Sequence, residues 1–174
     1  MTRYWNSTVS LPRPSTPIDR TRLAVAALLF VVITFAFGEH AFAAADEAEA
    51  RAFFSQFVAA QNAHKASDVR AMLWNSSNML WVSRGVETRG ADAVAARFKE
   101  YYEGTWHLEP DMSQFHAVTI SNDVIQVLVP VVFTRGLPGK PPQDNTFLIS
   151  QTFVREGNSW FVASILPVAN TQLK

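Results

Sequence analysis

The chain has 174 residues, no cysteine and a formal net charge of zero. Its length supports one domain with a core, and 48% apolar with 17% charged residues is typical of a globular protein. The absence of cysteine excludes disulfides, thiolate metal sites and a cysteine nucleophile. Residues 1–43 carry four of the 15 basic and two of the 15 acidic residues, so no basic stripe remains without them. We therefore expect no nucleic-acid partner.

The amino-terminal segment has the three parts of a secretory signal peptide, predicted over residues 1–43. Residues 1–22 form a polar n-region that ends on two arginines, and residues 23–37 form an unbroken apolar h-region. An Ala-x-Ala site follows, and cleavage is predicted after Ala43, with Ala45 as a second site. The sequence therefore predicts an exported protein.

Export would leave residues 44–174 as the mature domain, and the style of the signal indicates a bacterial periplasm. The segment Arg20-Thr21-Arg22 is not a twin-arginine pair, which favours a Sec-type route. The alternative is an uncleaved anchor formed by residues 23–37, the one way in which a membrane would be involved. Fifteen helical residues span roughly 22 Å, however, against a hydrocarbon core of about 30 Å.

Three helices are predicted at the start of the mature chain from apolar residues at helical spacing. They are expected over Asp46–His64, over Asp68–Trp74 with Ser67 as N-cap and Val69, Met72 and Leu73 buried, and over Ala91–Glu103 with Gly104 as C-cap.

Strands are predicted where β-branched and aromatic residues form runs bounded by turn residues. They are expected at Met79–Ser83, Val86–Arg89, Trp106–Glu109, Ser113–Ile120, Val124–Thr134, Thr146–Arg155 and Trp160–Val168. The Pro/Gly-rich segment Arg135–Asn145 is expected to be a surface loop, either a plain connection or a pocket lid. Helices followed by a strand meander indicate an α+β fold, with the helices on one face of a curved, mainly antiparallel sheet.

This pattern resembles a known family. The three early helices, Leu80-Trp81-Val82 before a glycine turn and the closing segment Gly157–Ser164 look like the SnoaL-like branch of the nuclear-transport-factor-2-like (cystatin-like cone) superfamily. The resemblance covers Glu47–Val168. It implies a cone-shaped fold, a pocket between sheet and helices, and dimers formed through the outer face of the sheet.

Enzymes with this fold resemble one another in placing carboxylates inside the cone, where an apolar pocket raises the pKa of an acid toward working pH. This sequence departs from that pattern. Between Val124 and Val168 the acids are Asp144, in the predicted loop, and Glu156, in a turn. The sequence therefore predicts no carboxylate constellation and no particular reaction.

Several residues are candidates for contacting a small molecule in the pocket. Large rings on elements that would flank the pocket mouth suit a flat or apolar ligand, and strand amides could orient it, although core packing and neighbour hydrogen bonds are the alternative explanations. The candidates are Trp81, Tyr102, Trp106, Gln126, Gln151 and Ser164.

His116 is the candidate acid–base residue, because the unperturbed pKa of histidine is about 6.5. His107, Glu109 and Asp111, together with His116, have donor types that suit a metal, but Pro110 interrupts their spacing. We therefore expect neither a metal nor any other cofactor.

The function predicted from these features is the binding of a small apolar or aromatic molecule by an exported SnoaL-like protein. The alternative is a small-molecule isomerase, cyclase or hydrolase with a pocket centred on His116, or one that uses a water held by Gln151. Both faces of strand Val124–Thr134 are apolar, so the face away from the helices needs cover. A sheet-to-sheet homodimer would supply that cover.

Overall fold

The computed structural model describes residues 46–169 of the chain. The predicted signal peptide over residues 1–43, its apolar segment 23–37 and the cleavage sites at Ala43 and Ala45 lie outside the described residues. Within the described part, no helix is long and apolar enough to cross a membrane.

The predicted α+β class is confirmed: three helices pack on a curved mixed sheet. The helices are α1, described over residues 46–62, α2 (Ala66–Met72) and α3 (Ala91–Tyr101). The strands are β1 (Leu80–Ser83), β2 (Val86–Arg89), β3 (Thr105–Pro110), β4 (His116–Ser121), β5 (Val124–Gly136), β6 (Gln143–Glu156) and β7 (Ser159–Ala169). A short 3₁₀ turn, Met112–Gln114, separates β3 from β4.

The sheet is organised around β5 and β6, its two longest strands. The strand order is β2-β1-β7-β6-β5-β3, and all neighbours are antiparallel except β1 and β7. β4 and β3 lie one after the other along one edge of β5, where β4 pairs with Val124–Leu128 and β3 with Val131–Gly136. One long strand therefore carries two partners, and the 3₁₀ turn lies between them.

The core lies between the helices and one face of the sheet. Successive strand residues point to opposite faces, and on β5 the odd-numbered residues Ile125, Val127, Val129 and Val131 are buried. We call this the inner face, and the face carrying Gln126 and Leu128 the outer face. The inner face packs on helix residues that include Phe54, Phe57, Val94 and Phe98.

The second helix begins and ends earlier than predicted. Lys65 is its N-cap residue and makes no side-chain cap, while Ser67 lies inside the first turn. The start is set by the end of α1, because His64 adopts a left-handed φ of 56° and Lys65 N–H donates to Ala60 O at 3.1 Å. The helix ends before Trp74 because Trp74 N–H donates to Val162 O in β7 at 2.9 Å.

Val69 and Leu73 are buried as predicted, whereas Met72 is half-buried. The strand predicted over Ser113–Ile120 also starts later, because Asp111 accepts a hydrogen bond from Ser113 N–H at 3.1 Å and caps the 3₁₀ turn.

Both ends of the predicted loop Arg135–Asn145 belong to strands. β5 runs to Gly136 and β6 starts at Gln143, so the connection is only residues 137–142. Cross-strand pairing extends the hairpin, and Thr134 Oγ1 donates to Asp144 Oδ1 at 2.7 Å. The alternation of faces therefore continues to Arg135, which lies on the inner face.

Gly104 has a different role from the predicted helix cap. Tyr102 is the C-cap of α3, and Gly104 does not adopt a left-handed φ. A Cβ added to Gly104 would lie 2.1 Å from Gly136 O, in the backbone of β5. Glycine is therefore needed here for the close approach of two strands at the point where β3 starts to pair with β5.

We predict that Gly104→Ala lowers the free energy of unfolding by about 3 kcal/mol, because a backbone oxygen cannot move aside as a flexible side chain can. Urea unfolding followed by circular dichroism measures the change. Gly139→Ala is the control: its Cβ would meet nothing within 4 Å, so only its left-handed φ costs about 1 kcal/mol. Equal destabilisation by the two changes would contradict the close-approach role.

Candidate functional site

A cavity of about 80 Å³ lies between the inner face of the sheet and helices α1 and α3. Its walls are mainly apolar. Seven lining residues are aromatic: Phe54, Trp81, Phe98, Tyr101, Trp106, Phe133 and Phe147. Six more are aliphatic or proline: Val58, Leu108, Val131, Ile149, Ile165 and Pro167. Six are polar or charged: Gln61, Ser83, Arg84, Arg135, Asn145 and Gln151. Such an apolar pocket with a few polar groups is typical of a small-molecule site.

Trp106 is central to the aromatic wall. Its ring lies 4.4 Å from Phe133, 5.2 Å from Tyr101 and 5.6 Å from Phe98, measured between ring centroids. Trp81 stacks on Phe98 at 4.5 Å and meets Trp106 edge to face at 6.3 Å. These contacts join β1, α3, β3 and β5 around the cavity, and they hold its wall in one arrangement.

The end of α1 holds β3 in place beside the cavity. Asn62 Nδ2 donates to Leu108 O at 2.9 Å, and Leu108 N–H donates to Asn62 Oδ1 at 2.8 Å. His64 Nε2 lies 2.9 Å from Trp106 O. The two side chains satisfy backbone groups at the free edge of β3 in the way that a further strand would. They thereby fix the positions of Trp106 and Leu108.

Three buried polar atoms of the lining residues have no hydrogen-bond partner among the described residues. They are Oε1 of Gln151 and Nε1 of Trp81 and Trp106. Gln151 is only 3% exposed. A buried polar atom without a partner costs about 1–3 kcal/mol. These atoms therefore belong to residues of the cavity wall, and each of them lowers the stability of the folded chain.

Two arginines line the open end of the cavity. Arg135, at the end of β5, lies over the Tyr101 ring at 4.1 Å. Arg84 is in the turn between β1 and β2 and has a left-handed φ of 53°, which costs a non-glycine residue about 1–2 kcal/mol. Of the described residues, no Asp or Glu lines the cavity. The electrostatic environment at the open end is therefore positive.

Tyr102 lies behind the aromatic wall and is absent from the cavity lining. Its ring stacks on His64 at 4.9 Å and packs near Phe98 and Trp106. Burial of its hydroxyl, which has no partner among the described residues, raises the pKa of Tyr102 above its usual value. Tyr101, one position earlier on α3, lines the cavity instead.

Gln126 and Ser164 also lie away from the cavity, because the strand register directs them to the outer face. Gln126 Nε2 donates to Ser150 Oγ at 3.2 Å, and Ser164 Oγ donates to Thr152 Oγ1 at 2.9 Å. Gln151 pairs with Val127 and shares its inner face. Of the six predicted ligand-contacting residues, the structure brings Trp81, Trp106 and Gln151 to the cavity and leaves Tyr102, Gln126 and Ser164 outside it.

His116 is exposed on β4, opposite Leu128 on the outer face, and so lies outside the cavity. His107 and Glu109 are likewise exposed. Side-chain hydrogen bonds from Ser113 and Gln114 lower the pKa of Asp111. Among the described residues, no three His, Cys, Asp or Glu side chains come together in a group that could hold a metal ion.

Sequence reasoning missed the polar residues Gln61, Ser83, Arg84, Arg135 and Asn145 of the lining. A signal existed for two of them. Arg135 continues the alternation of Val131 and Phe133, and Asn145 pairs with Phe133 across the hairpin. Arg84 had no such signal, because its position depends on the geometry of a turn.

The chain matches no protein-family model and no curated protein. Solved structures do match. A nuclear transport factor 2 (NTF2-like) superfamily protein from Salmonella enterica has a TM-score of 0.66 at 11% identity, with 76% of this chain and 96% of that chain covered. A suggested dehydratase of the NTF2-like family from Streptomyces avermitilis has a TM-score of 0.63 at 13% identity, covering 74% and 98%. An uncharacterised cystatin-like protein from Caulobacter vibrioides has a TM-score of 0.59 at 14% identity, covering 69% and 86%. The chain therefore has the NTF2-like, or cystatin-like, cone fold.

Proposed function

We propose that this protein is an exported SnoaL-like protein that binds a small apolar or aromatic molecule in the cavity of its cone. The observation that carries the proposal is the buried amide of Gln151, which lines an aromatic cavity and has no partner for its oxygen among the described residues. Export rests on the sequence of residues 1–43 and its predicted cleavage after Ala43.

The size of the cavity limits the ligand. Pockets for drug-sized molecules have volumes of about 300–1,000 Å³, and an apolar cavity of about 150 Å³ accepts benzene. A cavity of about 80 Å³ is about half that size, so it suits a short branched chain, and a single ring enters it only with a small movement of the walls or with part of the ring outside. A multi-ring ligand would require the walls to move.

The enzymatic alternative used His116 as an acid or base in the pocket, or a water held by Gln151. Because His116 is exposed on the outer face, it cannot reach a molecule in the cavity. The described lining contains no His, Asp or Glu, and the amide of Gln151 is not a general base at neutral pH. Of the two functions, the cavity supports binding better.

Tryptophan fluorescence tests the proposal directly. We predict that a panel of single-ring compounds changes the emission of the protein and that Trp81→Phe removes a large part of that change, because Trp81 lines the cavity. Trp74→Phe is the matched control, since Trp74 donates from Nε1 to Glu156 outside the cavity. Absence of any response, or an equal response in Trp81→Phe, would count against ligand binding here.

The amide of Gln151 gives a second prediction. In Gln151→Met, the free energy of unfolding without ligand should stay level or rise by about 1 kcal/mol, because an unpaired buried oxygen is removed. The same variant should bind the ligand about fivefold more weakly, because a lost hydrogen bond is worth about 1 kcal/mol. Chemical denaturation and ligand titration measure the two effects.

Gln126→Met is the matched control for this change. It alters the same pair of strands on the outer face and removes the hydrogen bond to Ser150 Oγ. The control should therefore lose about 0.5–1.5 kcal/mol of stability and keep its ligand affinity. If Gln151→Met is destabilised as much as Gln126→Met, the amide of Gln151 has a structural role and the proposal loses its main support.

The outer face supports a proposal about partners. Leu148 lies between Pro130 and Val168 across three strands, and it is 39% exposed, while Val168 is 52% exposed. Val132 and Val118 on the same face are also exposed. Contiguous exposed apolar surface marks interaction sites. We propose that a second copy of the chain covers this face, because a twofold axis lets one patch serve both protomers.

We predict that the purified protein sediments as a dimer at micromolar concentration and that Leu148→Glu weakens the dimer at least 100-fold. A twofold axis would bury two unpaired carboxylates, each costing several kcal/mol. Leu137→Glu is the control, because Leu137 is exposed in the hairpin connection. A monomeric wild-type protein, or a Leu148→Glu variant that still forms a dimer, would rule out this interface.

A further inference from the structure

A second depression adjoins the open end of the cavity. It has a volume of about 270 Å³ and its walls include Arg84, Arg135, Lys140, Gln143 and Asn145. We call it the vestibule. Three of these residues, Arg84, Arg135 and Asn145, also line the cavity. A molecule in the cavity therefore has its outer end beside the vestibule.

The vestibule carries positive charge without a compensating acid. Arg84, Arg135 and Lys140 line it, and among the described residues neither it nor the cavity is lined by Asp or Glu. The acid next along the hairpin, Asp144, pairs with Thr134 on the opposite face of the sheet. A concave surface lined by charges of one sign concentrates the field and attracts the opposite charge.

The two arginines suit a carboxylate in particular. A guanidinium group presents a planar fork of N–H donors that matches two carboxylate oxygens. Arg135 is already oriented, because its guanidinium lies 4.1 Å from the centre of the Tyr101 ring. Arg84 is held in a turn by two consecutive left-handed residues, Arg84 and Gly85. The guanidinium of Arg135 is therefore positioned by packing before a ligand arrives, whereas the turn fixes the backbone of Arg84.

The cavity supplies a second, independent observation. Its walls are mainly apolar and it shares Arg84, Arg135 and Asn145 with the vestibule, so an apolar group in the cavity would hold an attached polar group beside two cations. We propose, resting on the function proposed above, that the ligand is a small organic monocarboxylate. Its ring or branched chain occupies the cavity, and its carboxylate lies in the vestibule between Arg84 and Arg135.

Matched pairs of ligands test this charge requirement. Benzoate and benzamide, and phenylacetate and phenylacetamide, have nearly the same shape but differ in charge. In calorimetric titrations of the wild-type protein, each carboxylate should bind at least tenfold more tightly than its amide. Arg84→Gln and Arg135→Gln should each weaken carboxylate binding about tenfold and change amide binding less than twofold. Arg89→Gln, at an exposed arginine on β2 outside both depressions, is the control and should bind like the wild type.

The outcomes separate the two proposals. If amides bind as tightly as carboxylates, the carboxylate proposal is wrong while small-molecule binding in the cavity stands. If carboxylates bind more tightly but both arginine variants retain full affinity, the assignment to the vestibule is wrong. If neither the acids nor the amides bind, both proposals fall. Arg135→Gln loses the contact with Tyr101 and could fail to fold. Arg84 is exposed in a turn, so Arg84→Gln should fold and can be tested by itself.

Discussion

The packing of Trp106 is the constraint on which the cavity depends. Its ring contacts rings from β1, α3 and β5, the nearest being Phe133 at 4.4 Å, and it is only 5% exposed. The carbonyl oxygen of Trp106 lies within hydrogen-bond distance of the His64 side chain at the end of α1. Asn62 makes two hydrogen bonds to the backbone of Leu108, the next residue on the inner face. Aromatic packing on one side and hydrogen bonds on the other thus fix the position of β3, a strand that would otherwise have a free edge.

The close approach of Gly104 to β5 sets where β3 begins. A shift of β3 would therefore move the cavity wall, the end of the first helix and the register with Arg135 together.

Strand register decides whether a polar residue of the sheet lies on the inner face, at the cavity, or on the outer face. Gln126 and Gln151 lie on neighbouring strands, yet one faces outward and bonds to Ser150 while the other faces the cavity with its oxygen unpaired among the described residues. A change of one residue in register would exchange them, because successive side chains point to opposite faces. The same alternation puts Arg135 at the cavity and its neighbour Thr134 on the outer face. Among the described strand residues, register therefore keeps the acids away from the cavity and brings Arg135 to it.

Element types could be predicted from the sequence, because apolar periodicity reports burial of one face. The ends of the elements could not be predicted, because they depend on tertiary contacts. One such contact is the hydrogen bond from Trp74 N–H to β7. Another is the pairing that extends β5 and β6 into a segment rich in proline and glycine. For the site, residue type and position on a strand led us to predict that three residues contact a ligand in the pocket. All three, Trp81, Trp106 and Gln151, line the cavity. Tyr102 shows the limit of that reasoning. Consecutive helical residues point about 100° apart, so only packing decides that its neighbour Tyr101 reaches the cavity.

The unpaired polar atoms of the cavity wall lower the stability of the domain. A domain of this kind has a total stability of about 5–15 kcal/mol, while one unpaired buried polar atom costs about 1–3 kcal/mol. Three such atoms belong to lining residues among those described, and Arg84 has a strained backbone. A wall without these features would make the domain more stable. Apolar side chains at those positions would remove the penalty. A ligand that bound the folded state alone would instead add stability that grows with its concentration above the dissociation constant. A carboxylate beside Arg84 and Arg135 would make that gain specific, because a neutral molecule of the same shape would leave the cations at the open end without a partner.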